Sequence, residues 1–185
     1  YSAKGIVERV LFELGFASSR IKFESNETSS FFHPLRSAIV TIDKKVVGVI
    51  GEIHPKVAKR YDVSTVIMGE IILEKLFELK TSKIKFVPIN KLPSVVRDIA
   101  LVCDENTLAS DIEKVIRSVS KDMIQSVTIF DVYQGDKVEK GKKSIALKVV
   151  YQAPDHTLSE EEITSLYQKT IEACKKGLNA ELRIA

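Results

Sequence analysis

Arg97, Lys142, Lys143 and Lys148 supply positive charge, Asp98 and Asp131 supply acceptors, and Tyr133 supplies a flat ring. Among them stand Ala100, Ser144 and Ala146, small residues that leave room for a flat group such as a base. The combination suits RNA: lysines favour backbone phosphates, and a tyrosine ring can stack on an unpaired base. Lys137 and Lys140 extend the basic stretch. Taken alone, lysine-rich loops are more often solvated surface than binding surface, so composition by itself favours the plainer account.

Other chemistries find less support. His33, His54 and His156 fall in turns, two of them beside proline, and read as loop residues rather than a triad or ligand set. No His, Cys, Asp and Glu spacing suits zinc, and no GxxxxGK[ST] loop is present. Glu160, Glu161 and Glu162 follow Ser159, which makes them a helix-capping cluster rather than a pair of catalytic carboxylates. Gly48-Val-Ile-Gly51 ends a strand without opening a phosphate-binding helix. The site residues therefore include no catalytic or metal-binding member.

The elements that would position these residues can be read from periodicity. With 185 residues, 44% hydrophobic and 29% charged, the chain has an ordinary soluble globular balance, sufficient for one large or two small domains. A net charge of +3 permits an anionic partner without requiring one. No apolar run approaches the roughly 20 residues of a membrane span, so no membrane partner is expected. The opening Tyr1-Ser-Ala-Lys-Gly lacks both a signal pattern and an initiator Met, and reads as part of a longer protein. Cys103 and Cys174 have no CxxC partner, and two reduced core thiols point to the cytoplasm.

In the first half, Ile6, Val7, Val10, Leu11 and Leu14 follow helical spacing, with Gly15 as the C′ residue. Ile21 and Phe23 alternate as a short strand. Residues 37–42 and 46–53 read as a hairpin around Asp43-Lys44-Lys45, and Gly48 and Gly51 imply close backbone packing or a bulge. Pro55 can open a short helix to Arg60. A strand over 66–72 and a stripe of Leu73, Leu76, Phe77 and Leu79 follow. Lys80-Thr-Ser-Lys83 is the linker, which gives domains 1–82 and 83–185.

The second half opens on an extended segment through Pro88 and Pro93. It continues as a strand over 97–103, a helix after an N-cap at Thr107, strands over 126–134 and 142–152, a capped helix ending at Gly177, and a strand over 180–184. This β-α-β-β-α-β order is the ferredoxin-like split βαβ, with both helices on one face. The core-facing residues expected are Ile99, Leu101, Phe130, Val132, Ile145, Leu147, Val149, Tyr151, Ala180 and Leu182. The open face then carries Asp98, Ala100, Asp131, Tyr133, Ser144, Ala146, Lys148, Glu181 and Arg183. Arg97 would lie close to Lys142, Lys143 and Lys148. Val127 and Ile129 share the alternation of Asp131 and Tyr133, a conflict along this strand.

Pro93-Ser-Val-Val-Arg-Asp-Ile-Ala100, Phe130-Asp-Val-Tyr-Gln-Gly135, Gly141-Lys-Lys-Ser-Ile-Ala146 and Thr157-Leu-Ser-Glu-Glu-Glu162 resemble the end of bacterial phenylalanyl-tRNA synthetase beta chains. His33-Pro34 with Ser37-Ala38, Gly48-Val-Ile-Gly-Glu-Ile-His-Pro55 and Glu70 resemble the end of that family's catalytic-like domain. Leu35 departs from the Gly that often follows His-Pro there. The resemblance implies an α+β fold: a partial class II synthetase-like antiparallel sheet domain, then a ferredoxin-like βαββαβ anticodon-binding domain. It implies an (αβ)2 heterotetramer in which the alpha subunit performs aminoacylation with ATP and magnesium, and a fragment here that holds no cofactor. Met68-Gly-Glu-Ile-Ile-Leu-Glu-Lys75 lacks the glycine-rich strand and arginine of a working class II site. The implied partner of the open face is the tRNA-Phe anticodon stem-loop, with Asp98, Ala100 and Ser144 beneath it and Arg97, Tyr133, Lys143 and Lys148 around it.

Two other classes stay open. One is a structural module that docks on the alpha subunit or the rest of the beta chain. The other is an acylphosphatase-like hydrolase, against which the acidic Asp104-Glu105-Asn106 stands where a phosphate-cradling loop would be needed.

Overall fold

The computed structural model describes residues 2–26, 29–83 and 86–183. The chain forms two compact units, Tyr1–Val87 and Pro88–Ala185.

The first unit begins with α1 (Ser2–Glu13). Gly15 has φ +91°, Phe16 N donates to Leu11 O and Gly15 N donates to Phe12 O, so the helix ends in a Schellman turn. Leu11 and Phe16 are both buried there, as that motif favours. A four-stranded antiparallel sheet follows in the order β1-β2-β3-β4, comprising β1 (Ile21–Ser25), β2 (Phe32–Ile42), β3 (Lys45–Ile53) and β4 (Ile67–Ile71). The β2–β3 turn is Asp43-Lys44, both at positive φ (49° and 68°), the geometry of a two-residue hairpin that matches strand twist. Arg20 clamps Asp43 from below with three side-chain hydrogen bonds.

The glycines expected to mark close packing do so. A Cβ on Gly48 would lie 2.2 Å from Glu70 O, and one on Gly51 would lie 2.4 Å from Ser37 Cβ. Pro55 opens α2 (Pro55–Arg60), where His54 Nδ1 accepts from Lys56 N. The core contains Leu11, Ile21, Val40, Ile42, Val47, Ile50 and Leu76, the last from α3 (Leu73–Phe77). The helical stripes are only partly used: Ile6, Val10, Leu14, Leu73 and Phe77 are exposed. Part of the expected turn over 25–30 lies outside the described residues.

Lys80–Lys83 is not a free linker. Ser82 Oγ accepts from Ala17 N and Arg20 Nη1, and Ser82 N donates to Gly15 O, so this stretch is anchored on the first unit. The division falls at Val87/Pro88 rather than at 82/83.

The second unit carries β5 (Val95–Asp104), α4 (Ala109–Val119), β6 (Ile124–Tyr133), β7 (Lys142–Tyr151), α5 (Glu160–Leu178) and β8 (Glu181–Leu182). Its sheet order is β6-β7-β5-β8, and the described pairings are antiparallel. This is the ferredoxin-like arrangement that the order of elements implies. Ile112 and Ile116 of α4 and Ile163, Leu166 and Cys174 of α5 pack on Ile99, Leu101, Cys103, Ile145, Leu147, Val149 and Tyr151. Tyr151 is fully buried and its hydroxyl lies 3.2 Å from Thr170 Oγ1. Burial pushes the Cys174 thiol up to about 11 and raises that of Cys103, so neither is a ready nucleophile.

The strand ends of this unit shift by one or two residues from the sequence reading, and the ends of both helices and of the last strand differ for identifiable reasons. The N-cap of α4 is Leu108, without a side-chain cap, because Thr107 is held in the preceding turn by its N–H to Asp104 O. Gly177 lies inside α5, where a Cβ would sit 3.4 Å from Val115; the helix ends instead at left-handed Asn179 (φ 51°). The last strand is Glu181–Leu182, and Ile184 lies outside the described residues. Ala180 is buried as expected, but Leu182, on a short edge strand, is 37% exposed.

Candidate nucleic-acid interface

Register decides which side chains share the open face, because residues directly opposite in antiparallel strands point the same way. Asp98 pairs with Lys148, Ala100 with Ala146, Val102 with Ser144 and Asp104 with Lys142. These alternate with buried Ile99, Leu101 and Cys103, so they face away from the helices. On β6, Thr128 pairs with Lys148, Asp131 with Ala146 and Tyr133 with Ser144. Glu181 joins through Val102.

A bulge makes this possible. The β6–β7 register shifts between Ile129 and Asp131, so Phe130 is the extra residue. Val127 and Ile129 pair with buried Val149 and Leu147, and pack into the core. Beyond the shift, Asp131 and Tyr133 stand on the open face. Both halves of the strand satisfy their own alternation, and the conflict in the sequence is the trace of the bulge. Phe130 and Val132, expected in the core, are instead 57% and 52% exposed on the edge strand.

Two expected site residues lie on the other side. Arg97 pairs with Val149, and Lys143 with Cys103, both on the helix face. Period-two alternation that exposes Asp98 must turn Arg97 away. Its guanidinium lies 3.7 Å from Glu160 at the start of α5, and this pair is too open to hold tightly. Nor do Arg97, Lys142 and Lys143 gather at one end of the sheet: Lys142 and Lys143 pair with Asp104 and Cys103, at the opposite end of β5. Only Lys148 is a direct neighbour of Asp98.

Ser144 is on the expected face but is 3% exposed. Arg183 covers it: Nη1 donates to Ser144 Oγ (3.4 Å), the backbone N–H donates to Ala100 O (2.8 Å), and the guanidinium lies 5.6 Å from the Tyr133 ring centre. Arg183 thus belongs to the centre of the face, a role its alternation with Glu181 places but does not announce. Gly135 is a second addition, since a Cβ there would meet Tyr133 Oη at 2.8 Å.

Charge on this face is mixed rather than uniformly basic. Lys142, Lys148 and Arg183 alternate with Asp98, Asp104, Asp131 and Glu181. Lys142 is engaged by Glu139 at 2.7 Å, and that hydrogen bond raises the lysine above its usual value and lowers the carboxyl. The β6–β7 loop is pinned rather than loose: Glu105 N donates to Gly141 O, and Gln134 Nε2 donates to Glu105 Oε2. The arrangement offers a half-buried ring with a cation over it, a floor of Ala100 and Ala146, and carboxylates able to accept from base amino groups. Among the described residues no cluster of three or more His, Cys, Asp or Glu could hold a metal.

Residues 90–183 match the family described as ferredoxin-fold anticodon binding domain. The chain belongs to that family. The ferredoxin-fold anticodon-binding match covers every strand and helix of the second unit. Residues 1–73 match a second family, described as phenylalanyl tRNA synthetase beta chain CLM domain. The chain is 38% identical over 183 residues to a phenylalanine–tRNA ligase beta subunit of Geobacillus kaustophilus, covering 99% of this chain and 22% of that protein. It is 39% identical over 183 residues to the Bacillus licheniformis subunit, again with 99% and 22% covered. For the Clostridium tetani subunit the identity is 36% over 181 residues, with 97% and 23% covered. The chain therefore spans between a fifth and a quarter of the length of these relatives, and is similar to one continuous stretch of each.

Proposed function

We propose that the chain is the part of a phenylalanine–tRNA ligase beta subunit that receives the anticodon stem-loop of tRNA-Phe. The site is the open face of the second unit. The observation that carries this is the juxtaposition of Tyr133 and Arg183 over a floor of small residues, in a unit of the anticodon-binding family. Aminoacylation, with its ATP and magnesium, belongs to an alpha subunit in an (αβ)2 assembly, and the setting is the cytoplasm. Tyr133 stacks on a base, Asp98 and Asp131 accept from base edges, and Lys148 neutralises a phosphate.

Titration with a tRNA-Phe anticodon stem-loop tests this. Tyr133→Ala is expected to weaken binding by roughly tenfold to a hundredfold, since one base stacked on an aromatic is worth about 1–3 kcal/mol. Lys148→Gln lowers the salt slope by about one. Unchanged affinity and salt slope in both variants would sink the assignment of this face.

A second reading, docking rather than RNA contact, is favoured for the first unit by exposed Ile6, Val10, Phe12 and Leu14 along α1 and its end. Apolar exposure of this kind suits a surface that another part of a larger assembly covers. The two readings concern different units and are compatible.

A further inference from the structure

The positive surplus of the chain does not lie in the unit that carries the RNA face. Pro88–Ala185 has 14 Lys and Arg against 15 Asp and Glu, whereas Tyr1–Val87 has 14 against 10. Cations on phosphates supply much of the affinity for a nucleic acid, while contacts to bases supply specificity. A unit without surplus charge, whose open face is itself mixed in sign, is equipped to read a loop. Within this chain, the electrostatic share of tRNA binding falls to the first unit.

There the surplus gathers at one end. The Arg20 guanidinium holds Asp43 through Nε and Nη2 and Ser82 Oγ through Nη1, and Asp43 N donates to Arg20 O at 3.4 Å. Three segments remote in sequence are thus fastened at one point. Each brings lysines: Lys22 from β1, Lys44 and Lys45 from the β2–β3 turn, Lys80 and Lys83 from the stretch after α3. All five are exposed. The ion pairs of the first unit use Lys4, Arg9, Arg20 and Arg36, and none of the five lysines has an ion-pair partner among the described residues. Asp43, the carboxylate at the centre, is already neutralised by Arg20, whose hydrogen bond holds it below the usual carboxylate range.

Lysine-rich turns are ordinarily solvated surface. This group differs because it is no run in the sequence and exists only through the Arg20 fastening. That guanidinium is itself held over the Phe16 ring, 5.6 Å from its centre, at the margin of the core. Like charges gathered without carboxylates repel one another, and an anionic partner relieves that repulsion. Lysine is a compact point charge suited to phosphate oxygens, while bidentate recognition of carboxylates falls to arginine.

We propose that this end of the first unit is a second RNA contact. It holds phosphates of tRNA outside the anticodon stem-loop through Lys44, Lys45, Lys80 and Lys83, with Lys22 beside them. The choice of RNA as partner rests on the reading of the second unit, whereas the gathering of the lysines does not.

The salt dependence of binding to the 185-residue chain, measured with full-length tRNA-Phe and with its anticodon stem-loop, tests this. Each neutralised phosphate contributes about 0.7–0.9 to the slope of log affinity against log salt. Changing Lys44, Lys45, Lys80 and Lys83 together to Gln should lower the slope for full-length tRNA by about three and leave the stem-loop unaffected. An unchanged slope for full-length tRNA overturns the proposal. So does an equal fall with both RNAs, which would put the contact on the stem-loop. Polyglutamate that competes as well as RNA of equal charge also overturns it, and would mark a surface for an acidic protein. Should the fourfold variant fail to fold, the unaltered chain decides: its slope should be steeper for full-length tRNA by at least about two, and equal slopes overturn the proposal. Tyr133→Ala keeps the two readings apart. If it leaves stem-loop affinity unchanged while the lysine substitutions still lower the full-length slope, the open face is misassigned and this site stands.

Discussion

At the scale of single residues, direction matters more than presence. Thr170 Oγ1 donates to Leu166 O at 2.8 Å, so the Tyr151 hydroxyl is the donor in the buried contact between them. Removing the acceptor therefore costs more than removing the donor. Thr170→Val leaves a buried hydroxyl without a partner and is expected to cost about 1–3 kcal/mol, whereas Tyr151→Phe costs about 1 kcal/mol. The double variant should lose less than the sum, and urea unfolding of the three proteins checks this. Arg97 and Lys148 make the same point on the two sides of the second sheet. Arg97→Ala should leave anticodon stem-loop affinity unchanged where Lys148→Gln weakens it, because the strand turns Arg97 toward Glu160. Residue types at the site were legible in the sequence, and so was the alternation of β5. Charge suggests a place for Arg97 and Lys143 on the open face, but the period of two turns both toward the helices. The part played by Arg183 is not legible locally, because its contacts with Ser144 and Tyr133 come from strands distant in sequence.

At the scale of elements, α5 has the clearest local determinants. Ser159 and Glu162 form a reciprocal capping box, with Ser159 N to Glu162 Oε2 at 2.9 Å and Glu162 N to Ser159 Oγ at 3.3 Å. His156 adds Nδ1 to Asp155 (2.8 Å) and Nε2 to Glu162 (3.1 Å). Asp155 first, then Glu162, raises His156 above the usual imidazole range, while the hydrogen bonds from Ser159 and His156 hold Glu162 below the usual carboxylate range. A raised imidazole stabilises the fold below its ordinary range, and that contribution fades as pH rises through its folded value. A lowered carboxyl stabilises above its ordinary range, and that contribution fades as pH falls through its folded value. The start of α5 is thus firmest between the carboxylate and imidazole ranges. His156→Gln should remove the decline on the alkaline side and keep that on the acid side, as read from urea midpoints against pH. The capping box was legible because it is a local pattern of four residues. The bulge in β6 was legible only as the clash between Val127 with Ile129 and Asp131 with Tyr133. Deleting Phe130 should preserve the face of Tyr133, because Ile129 and Asp131 already sit opposite the consecutive residues Leu147 and Ala146. Deleting Val132 should turn Tyr133 toward the helix side and abolish stem-loop binding in the same titration.

At the scale of the whole molecule, the second unit contains what holds it together. The approach to the second is tied into it by Asn90 Nδ2 to Ala153 O (2.8 Å) and Gln152 Nε2 to Leu92 O (2.5 Å). The core around Leu101, Ile116, Leu147, Val149 and Tyr151 lies wholly within it. Residues 88–185 expressed alone are therefore expected to unfold cooperatively and to bind the anticodon stem-loop as the full chain does; a non-cooperative melt would show that the core is incomplete. The order of strands was legible, since split βαβ connectivity allows few arrangements. The boundary was displaced by five residues because the polarity of Lys80–Lys83 conceals the anchoring of Ser82 under Arg20.

Phe130 has a further consequence for behaviour at high concentration. β6 is an outer strand of its sheet, and a long regular outer strand invites a neighbouring molecule to add its own, the first step of aggregation. A bulge breaks that row of free backbone groups into two short runs of different twist, neither long enough to seed stacking. The shortened strand that keeps Tyr133 in place should therefore also be the one that precipitates first, and light scattering during concentration would separate it from the parent.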